Sequence, residues 1–199
     1  MATTFENILR NAERKGVLNK KSEESINWFR ENVRKTTRSV SSSRLFREER
    51  DNLVNSWTNT SPGRLYFVNY DPKLKRTLPY YDIFPLIIPI EKYRDGILGL
   101  NLHYLPPVLR VKLLDSLYDT LTNDNFDENT KMKVTYSILK GTSKFKEFKP
   151  CVKRYLGNHF RSRFINIPAE SWSASVFLPV ENFQKASKRK VWSDSRKMI

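Results

Sequence analysis

The stretch that decides the fold runs from residue 63 to residue 107 and reads GRLYFVNYDPKLKRTLPYYDIFPLIIPIEKYRDGILGLNLHYLPP. It is rich in aromatic and β-branched residues, and Pro, Gly and Asp divide it into segments, as is typical of strands joined by turns. Three segments have strand character, at residues 65–70, 84–90 and 98–104, and the third alternates apolar and polar residues. This pattern predicts a small, bent antiparallel sheet or a partial SH3-like barrel over about residues 63–105.

Two prolines stand in the second of these segments. Pro85 and Pro89 bracket Leu86, Ile87 and Ile88. Because proline has no N–H to donate to a neighbouring strand, it is confined to edge strands, strand starts and bulges. We therefore expect this strand to lie at an edge of the sheet or to carry a bulge.

Helical patterns follow the sheet. Residues 109–121 carry an apolar stripe at helical spacing, and Pro106-Pro107 supplies the start of that helix. Asp127 has the chemistry of an N-cap for a further helix, which Gly141 would end. Further on, residues 164–167 and 172–178 have strand character, the latter with alternating apolar residues, and predict a second, C-terminal hairpin.

The residues before the sheet predict three short helices. Residues 3–16 begin with a possible capping box and end at a glycine, a second helix starts near residue 22, and a third covers residues 44–54. Trp28 lies off the apolar stripe of the second helix, where it would cover the edge of the core or anchor a protein interface. The chain as a whole predicts an α+β fold, with an N-terminal helical arm at residues 1–56 and a core domain at residues 57–199.

Positive charge is concentrated in the last third of the chain. The net charge is +15, of which residues 1–56 contribute +4 (12 basic, 8 acidic), residues 57–139 contribute +1 (10 basic, 9 acidic) and residues 140–199 contribute +10 (14 basic, 4 acidic). A field of this sign attracts nucleic acid, an anionic membrane or an acidic protein surface. A solvated face that only keeps the protein soluble is the alternative.

Basic and aromatic residues are interleaved in residues 140–163, which read KGTSKFKEFKPCVKRYLGNHFRSR. Lys and Arg neutralise phosphates without reading sequence, and binding of that kind depends steeply on salt. The aromatic residues can stack on exposed bases, although burial in the core explains most of them more simply. The candidate nucleic-acid-binding residues are Lys140, Lys144, Lys146, Lys149, Lys153, Arg154, Arg161, Arg163, Lys188, Arg189 and Lys190.

Residues suited to nucleophilic chemistry are few. Cys151 is the only cysteine, which excludes an intrachain disulfide and a thiolate-rich metal cluster. Its basic surroundings could lower the pKa of the thiol, but neither His103 nor His159 is placed beside it by a recognisable motif. The glycines form no phosphate-binding loop. These observations predict no catalytic residue and no cofactor.

The carboxylates of the central stretch show no metal-binding pattern. Asp71, Asp82, Glu91 and Asp95 lie near one another in sequence, but without a spacing that would hold a metal ion. We therefore predict no metal site.

No apolar run reaches the roughly 18 residues of a membrane span, and the N-terminus lacks the apolar core of a secretory signal. We expect a soluble protein that stays in a reducing compartment or is packed into a particle assembled there.

Four runs of the chain resemble a known family. They are PGRLYFVNYDPKLKRTLPYYDIFPLIIPI at 62–90, GLNLHYLPPVLRVKLLDSLYD at 99–119, SKFKEFKPCVKRYL at 143–156 and FLPVENFQKASKRKVWSDSR at 177–196. Together they resemble small structural proteins of T-even-like contractile-tailed bacteriophages, similar to DNA end protector or head-completion (neck) proteins. The resemblance covers most of residues 60–199 and leaves the first 56 residues outside. It supplies no catalytic motif to match.

One main hypothesis and two alternatives follow. The resemblance implies a non-enzymatic virion protein at the head vertex or neck, assembled in the host cytoplasm, whose basic C-terminal surface contacts double-stranded DNA ends or the portal or tail. The first alternative is a tail or baseplate subunit with purely protein–protein contacts. The second is a DNA-processing nuclease. A steep salt dependence of DNA binding separates the main hypothesis from the first alternative, and metal-dependent cleavage would select the second.

Overall fold

The protein is built on antiparallel sheets with helices packed against them. The computed structural model describes residues 4–15, 27–28, 31, 42–121, 123, 125–144, 146–178 and 180–198. The strands are β1 (Leu53–Val54), β2 (Leu65–Phe67), β3 (Tyr81–Asp82), β4 (Leu86–Tyr93), β5 (Gly96–Asn101), β6 (Val152–Leu156), β7 (Phe164–Ile167) and β8 (Phe183–Gln184). The helices include α1 (Thr4–Arg14), α2 (Ser42–Glu48), α3 (Pro107–Leu121), α4 (Glu128–Lys144), α5 (Trp172–Phe177) and α6 (Lys188–Lys197).

The main sheet has six strands in the order β1-β7-β2-β4-β5-β6, and every neighbouring pair is antiparallel. Strands β3 and β8 pair separately in a second, two-stranded sheet. The main sheet is open, because β1 and β6 are its two edges and do not pair with each other in the part of the chain that the structure describes. The prediction of an α+β fold on a bent antiparallel sheet is confirmed, as an open sheet and not as a barrel.

The strand with the prolines, β4, lies in the middle of the main sheet between β2 and β5. The expected edge position is therefore wrong, and the alternative, a bulge, is confirmed because the β4–β5 register shifts between Pro89 and Glu91. Although Pro89 cannot donate, its carbonyl accepts a hydrogen bond from the Gly63 N–H at 3.3 Å. Pro85 precedes the strand and accepts from the Val68 N–H at 3.3 Å. The bulge thus allows a proline inside a central strand.

Each face of the main sheet is buried in its own hydrophobic cluster. Successive side chains of a strand point to opposite faces, so Phe67 faces the larger cluster, which includes residues from helices α1 to α6, while Tyr66 faces the smaller one. Residues of the 157–160 segment and the β1 edge cover the smaller cluster: Phe160, Trp57 and Val54 pack against it. The sheet is therefore enclosed on both sides and presents mainly its ends and connecting loops to solvent.

The two helices that follow β5 in the chain begin at the residues predicted from the sequence. Helix α3 begins at Pro107, as predicted, and Asp127 caps α4 through a 2.6 Å hydrogen bond from the Thr130 N–H to its Oδ1. Gly141 does not end α4, which continues to Lys144. A single glycine inside a helix costs about 1 kcal/mol relative to alanine, and packing of the helix through buried Leu139 outweighs a cost of that size.

The predicted second hairpin is wrong in its second half. Residues 164–167 form β7, but residues 172–177 form helix α5. Ser171 and Ser175 are buried along with the alternating apolar residues, so polar and apolar positions do not separate into an exposed and a buried face, and the alternation does not indicate a strand. The Ser175 hydroxyl donates to the Trp172 carbonyl at 2.8 Å, which satisfies it inside the helix.

The first part of the chain differs at one boundary. Helix α2 ends at Glu48, and the predicted continuation to residue 54 is instead a 3-10 turn followed by β1, because Leu53 and Val54 pair with β7. The second predicted helix falls largely outside the described residues; Trp28 packs against the core. The division into an arm at 1–56 and a core at 57–199 stays a prediction. None of the described helices has the length and apolar character needed to cross a lipid bilayer.

Candidate nucleic-acid interface

Two of the candidate cations, Lys153 and Arg154, are consecutive residues of β6 and leave the strand on opposite faces. The Lys153 Nζ lies 4.1 Å from the centroid of the Tyr104 ring, and burial lowers the pKa of this lysine. The Arg154 guanidinium donates to the carbonyls of Ile97 (3.2 Å) and Tyr155 (2.7 Å) and pairs with Asp95. Lys153 is half-buried and Arg154 is exposed, but both side chains already have partners within the protein.

Two further candidates, Arg161 and Arg163, follow the segment that crosses the smaller cluster. The backbone here is fixed to Asn69, two residues after β2: the Arg161 N–H donates to the Asn69 carbonyl at 2.9 Å, and Ser162 Oγ accepts from the Asn69 N–H at 2.9 Å. The Arg161 guanidinium is exposed and lies 3.4 Å from Asp71 Oδ2. Arg163 is exposed and makes no ion pair with any residue that the structure describes. A rigid backbone thus presents two solvent-facing cations.

Three candidates lie at the start of α6, which Ser187 caps by accepting from the Lys190 N–H at 3.3 Å. Lys188 Nζ lies 3.5 Å from Glu181 Oε1, and Lys190 Nζ donates to Asp194 at 2.7 Å, which raises the pKa of Lys190. Arg189 is exposed, with no ion pair among the described residues. The helix is held to the core by the Ser195 hydroxyl, which donates to the Tyr104 carbonyl at 2.9 Å.

The remaining candidates belong to α4 and the turn that follows it. Lys140 is exposed, with its Nζ 4.7 Å from the Tyr136 ring centroid, and a hydrogen bond with Tyr136 raises the pKa of Lys140. Lys149 is exposed in the 3-10 turn before β6. The side chains of Lys144 and Lys146 lie outside what the structure describes. The candidates thus occupy several separate elements of the surface.

A group of cations that sequence reasoning missed lies in the loop of residues 72–79, where Lys73, Lys75 and Arg76 are exposed. Asp71, just before the loop, lies 2.9 Å from the Lys75 Nζ and 3.4 Å from Arg161, and its hydrogen bond from Lys75 lowers the pKa of this carboxyl. The signal was the short run KLKR, which is cancelled when charge is summed over residues 57–139.

The same loop also touches the C-terminal part of the chain. Lys185 Nζ donates to the carbonyls of Arg76 (2.9 Å) and Leu78 (3.0 Å). Tyr80 lies close enough to α6 for Asp194 and Lys190 to act on its titration, although burial is the main cause of its raised pKa. The 72–79 loop is therefore linked to Lys185 by hydrogen bonds near its end and to Arg161 through Asp71 just before its start, so it connects two parts of the basic surface that are distant in sequence.

The aromatic residues interleaved with the basic ones are part of the core. Tyr155 is fully buried, with its ring centroid 4.8 Å from that of Tyr70 and 6.0 Å from that of Phe160. The Tyr70 hydroxyl accepts from the Leu156 N–H at 3.1 Å. Phe148 packs against the larger cluster. Of the interleaved aromatic residues, Phe148, Tyr155 and Phe160 are therefore explained by packing in the protein's two clusters, which is the simpler explanation. Phe145 lies outside the described residues.

The four carboxylates that lie close in sequence have separate partners in the structure. Asp82 is fully buried and bonds His103, whereas Asp95 pairs with Arg154. Glu91 accepts a hydrogen bond from the Tyr93 hydroxyl at 3.2 Å, and Asp71 pairs with basic side chains as described above. Within the described ranges, no three His, Cys, Asp or Glu side chains group closely enough to hold a metal ion.

The lone cysteine is buried, and its environment is the reverse of an activated thiol. The Cys151 Sγ–H donates to the Phe148 carbonyl at 2.9 Å. Burial raises the pKa of the Cys151 thiol to about 12 and outweighs the attraction of Lys153. The expectation that basic surroundings lower this pKa is therefore wrong, because the cost of burying a thiolate exceeds the effect of one nearby cation.

The fold and surface define a small, basic α+β protein with exposed cations on the 72–79 loop, on residues 161–163 and on the start of α6. The family model of the Phage T4 terminal DNA protecting protein matches residues 1–197, and the chain belongs to this family. The match confirms the resemblance and extends it over the first 56 residues. No curated protein and no solved structure matches the chain.

Proposed function

We propose that the protein is a non-enzymatic virion component that binds the ends of packaged double-stranded DNA. The observation that carries this proposal is the family match over residues 1–197, because that family is described as protecting terminal DNA. A protein that covers a packaged end must lie where that end lies. We therefore place it at the head vertex or neck, in contact with portal, neck or tail subunits.

The exposed cations supply the chemistry that a DNA backbone requires. Arg163, Arg189 and Lys149 face solvent without an ion pair to any described residue. Arg161 and Lys190 have acidic partners, but exposed ion pairs of this kind contribute about 0–1 kcal/mol, so phosphates can replace those partners at little cost. Of the candidate cations, we assign Lys153 and Arg154, which contact other groups of the protein, to stabilising the fold, and the remaining exposed cations to DNA.

The positions of the carboxylates support a role without catalysis. Asp82 forms a buried pair with His103, and Asp95 pairs with Arg154. A metal-dependent nuclease needs carboxylates that converge on an ion, whereas these two point to separate protein partners. The protein would then protect a DNA end by covering it, which requires affinity for the end and a surface that fits it, but no chemical reaction.

Binding to linear duplex DNA over a salt series, with closed circular DNA of the same sequence as competitor, tests the proposal. We expect a preference for linear DNA and a steep loss of affinity with salt, about 0.9 in logarithmic slope for each phosphate neutralised. Arg163→Ala combined with Arg189→Ala should lower the slope by about 2. The matched control, Arg50→Ala with Lys112→Ala, removes two exposed cations elsewhere and should leave the slope unchanged.

Several results would contradict all or part of the proposal. Equal affinity for linear and circular DNA, or no binding at physiological salt, would favour a tail or baseplate subunit whose basic surface meets protein. Cleavage of the linear DNA on addition of magnesium would select the nuclease. Particles carrying the protein at a site away from the head vertex and neck would contradict the placement alone.

A further inference from the structure

The loop of residues 72–79 is held in one shape by its own backbone. The Leu74 carbonyl accepts from the N–H groups of Thr77 (3.0 Å) and Leu78 (3.1 Å), and the Lys75 N–H donates to the Pro72 carbonyl at 3.2 Å. Pro72 is buried, which fixes the start of the loop, and Lys185 bonds two carbonyls near its end. The loop is therefore a preorganised, solvent-exposed element.

An apolar side chain is exposed in this loop. Leu74 is 62% exposed, the most exposed large hydrophobic residue in the described part of the chain. Isolated surface leucines are common, but this one sits in an ordered turn with Lys73, Lys75 and Arg76 around it. An apolar contact surrounded by cations suits a partner that presents an apolar face bordered by anions.

The end of a DNA duplex is such a partner. Along its length a duplex presents phosphates and the edges of its bases in the grooves, and the flat faces of the base pairs are covered by stacking. Only the terminal base pair exposes a flat, apolar face, with the last phosphates beside it. Apolar side chains, including leucine, contact base-pair faces in proteins that separate base steps.

We propose that the 72–79 loop contacts the terminal base pair of a duplex, with Leu74 against the exposed base-pair face and Lys73 and Arg76 on the neighbouring phosphates. The inference rests on the proposed function and adds the element that distinguishes an end from the rest of the duplex. Arg161 and Lys185, which flank the loop, extend the cationic surface on either side of it. Because the loop is already ordered, binding costs little conformational entropy.

The test compares a blunt duplex with the same sequence closed at both ends by hairpin loops. Leu74→Ser should weaken binding to the open duplex about tenfold through the lost apolar contact, leave binding to the closed duplex unchanged and leave the salt slope unchanged. Lys73→Ala with Arg76→Ala should weaken binding to both and lower the slope by about 2. Met198→Ser, at a residue that is 53% exposed outside the loop, is the matched control and should change neither affinity.

The outcomes separate this inference from the proposed function. If the wild type prefers open ends and Leu74→Ser keeps that preference in full, the loop inference is overturned and the proposed function stands. A wild type with no preference for open ends overturns both. Altered oligomeric state in Leu74→Ser, with DNA affinity unchanged, makes the loop a protein contact and also overturns the inference. Equal thermal unfolding of variant and wild type confirms that the variant is folded.

Discussion

Asp82 Oδ2 and His103 Nδ1 lie 2.7 Å apart, and both side chains are fully buried. The other Asp82 oxygen, Oδ1, accepts from the Asn182 N–H and from the Phe84 N–H, each at 3.1 Å. The backbone carbonyl of His103 accepts from the Trp192 indole at 2.9 Å. The pair therefore connects the sheet to the segment that carries α6, and the position of the basic helix depends on it.

The first prediction concerns the stability that this pair supplies. Removing one member of a buried pair typically costs about 3–5 kcal/mol, because the other is left without its partner. Asp82→Asn should therefore lower the free energy of unfolding by an amount of that order at neutral pH. Urea denaturation of the variant and the wild type measures the difference, and a loss below about 1 kcal/mol would show that the pair is not important for stability.

The second prediction is the pH dependence of the same pair. Burial raises the pKa of Asp82, but the charge of His103 and hydrogen bonds from His103, Asn182 and Asn101 outweigh it, so the pKa lies below its ordinary value. A depressed carboxyl pKa stabilises the fold above the unfolded value of about 3.9, and this contribution is lost as the pH falls through the folded value. Wild-type stability should thus fall more steeply below about pH 4 than that of Asp82→Asn. Parallel curves would contradict the assignment.

The third prediction tests the core under α3. Leu114 is 5% exposed and packs in the larger cluster, so Leu114→Ala should cost about 2–5 kcal/mol through lost burial and the cavity left behind. Lys112→Ala, at an exposed position of the same helix, should change the free energy of unfolding by less than about 0.5 kcal/mol. A cost under about 1 kcal/mol for Leu114→Ala would show that the helix is not a main element of the core.

The fourth prediction concerns Cys151. Its burial and its raised pKa, about 12, leave almost no thiolate at neutral or mildly alkaline pH. A thiol reagent should therefore leave the native protein unmodified and should modify Cys151 fully once urea unfolds the chain. Rapid modification of the native protein would mean that the thiol is accessible and activated.

The sequence predicted those elements whose residues repeat with one clear period. The alternation before Pro106 and the stripe on residues 109–121 predict a strand and a helix, and β5 and α3 are found there, although β5 ends at Asn101 and residues 102–104 form a buried 3-10 turn instead of continuing the strand. Helix α5 was missed because polar Ser175 is buried together with the apolar residues, so the alternation of polar and apolar residues does not follow burial. The central position of β4 could not be predicted from Pro89 alone, since a bulge removes the restriction that proline imposes.

The candidate site was harder to predict than the fold, because a cation's role depends on partners distant in sequence. Nothing local to Arg154 indicates Asp95, which lies 59 positions away. Likewise, Asp71 and Arg161 are brought together by the fold alone. Charge counts over long segments identified the last third of the chain as basic. They missed the 72–79 loop, because its three cations are offset by acids elsewhere in residues 57–139.

The fifth prediction separates cations that stabilise the fold from cations that bind DNA. Arg154 bonds two carbonyls and Asp95, with its side chain 34% exposed, so Arg154→Ala should lower the free energy of unfolding by about 1 kcal/mol after allowance for solvent screening. Its effect on the salt slope of DNA binding should be small. Arg163→Ala removes the same charge from a position without an ion pair among the described residues, so it should leave stability unchanged and lower the slope by about 1.

Urea denaturation and the DNA salt series, run on both variants, check this pair of expectations. The comparison is informative because the two changes are chemically identical and differ only in the surroundings of the side chain. If Arg154→Ala lowers the slope as much as Arg163→Ala does, the internal contacts of Arg154 give way to phosphate. The edge strand β6 then belongs to the DNA-binding surface, which would extend across the sheet from α6.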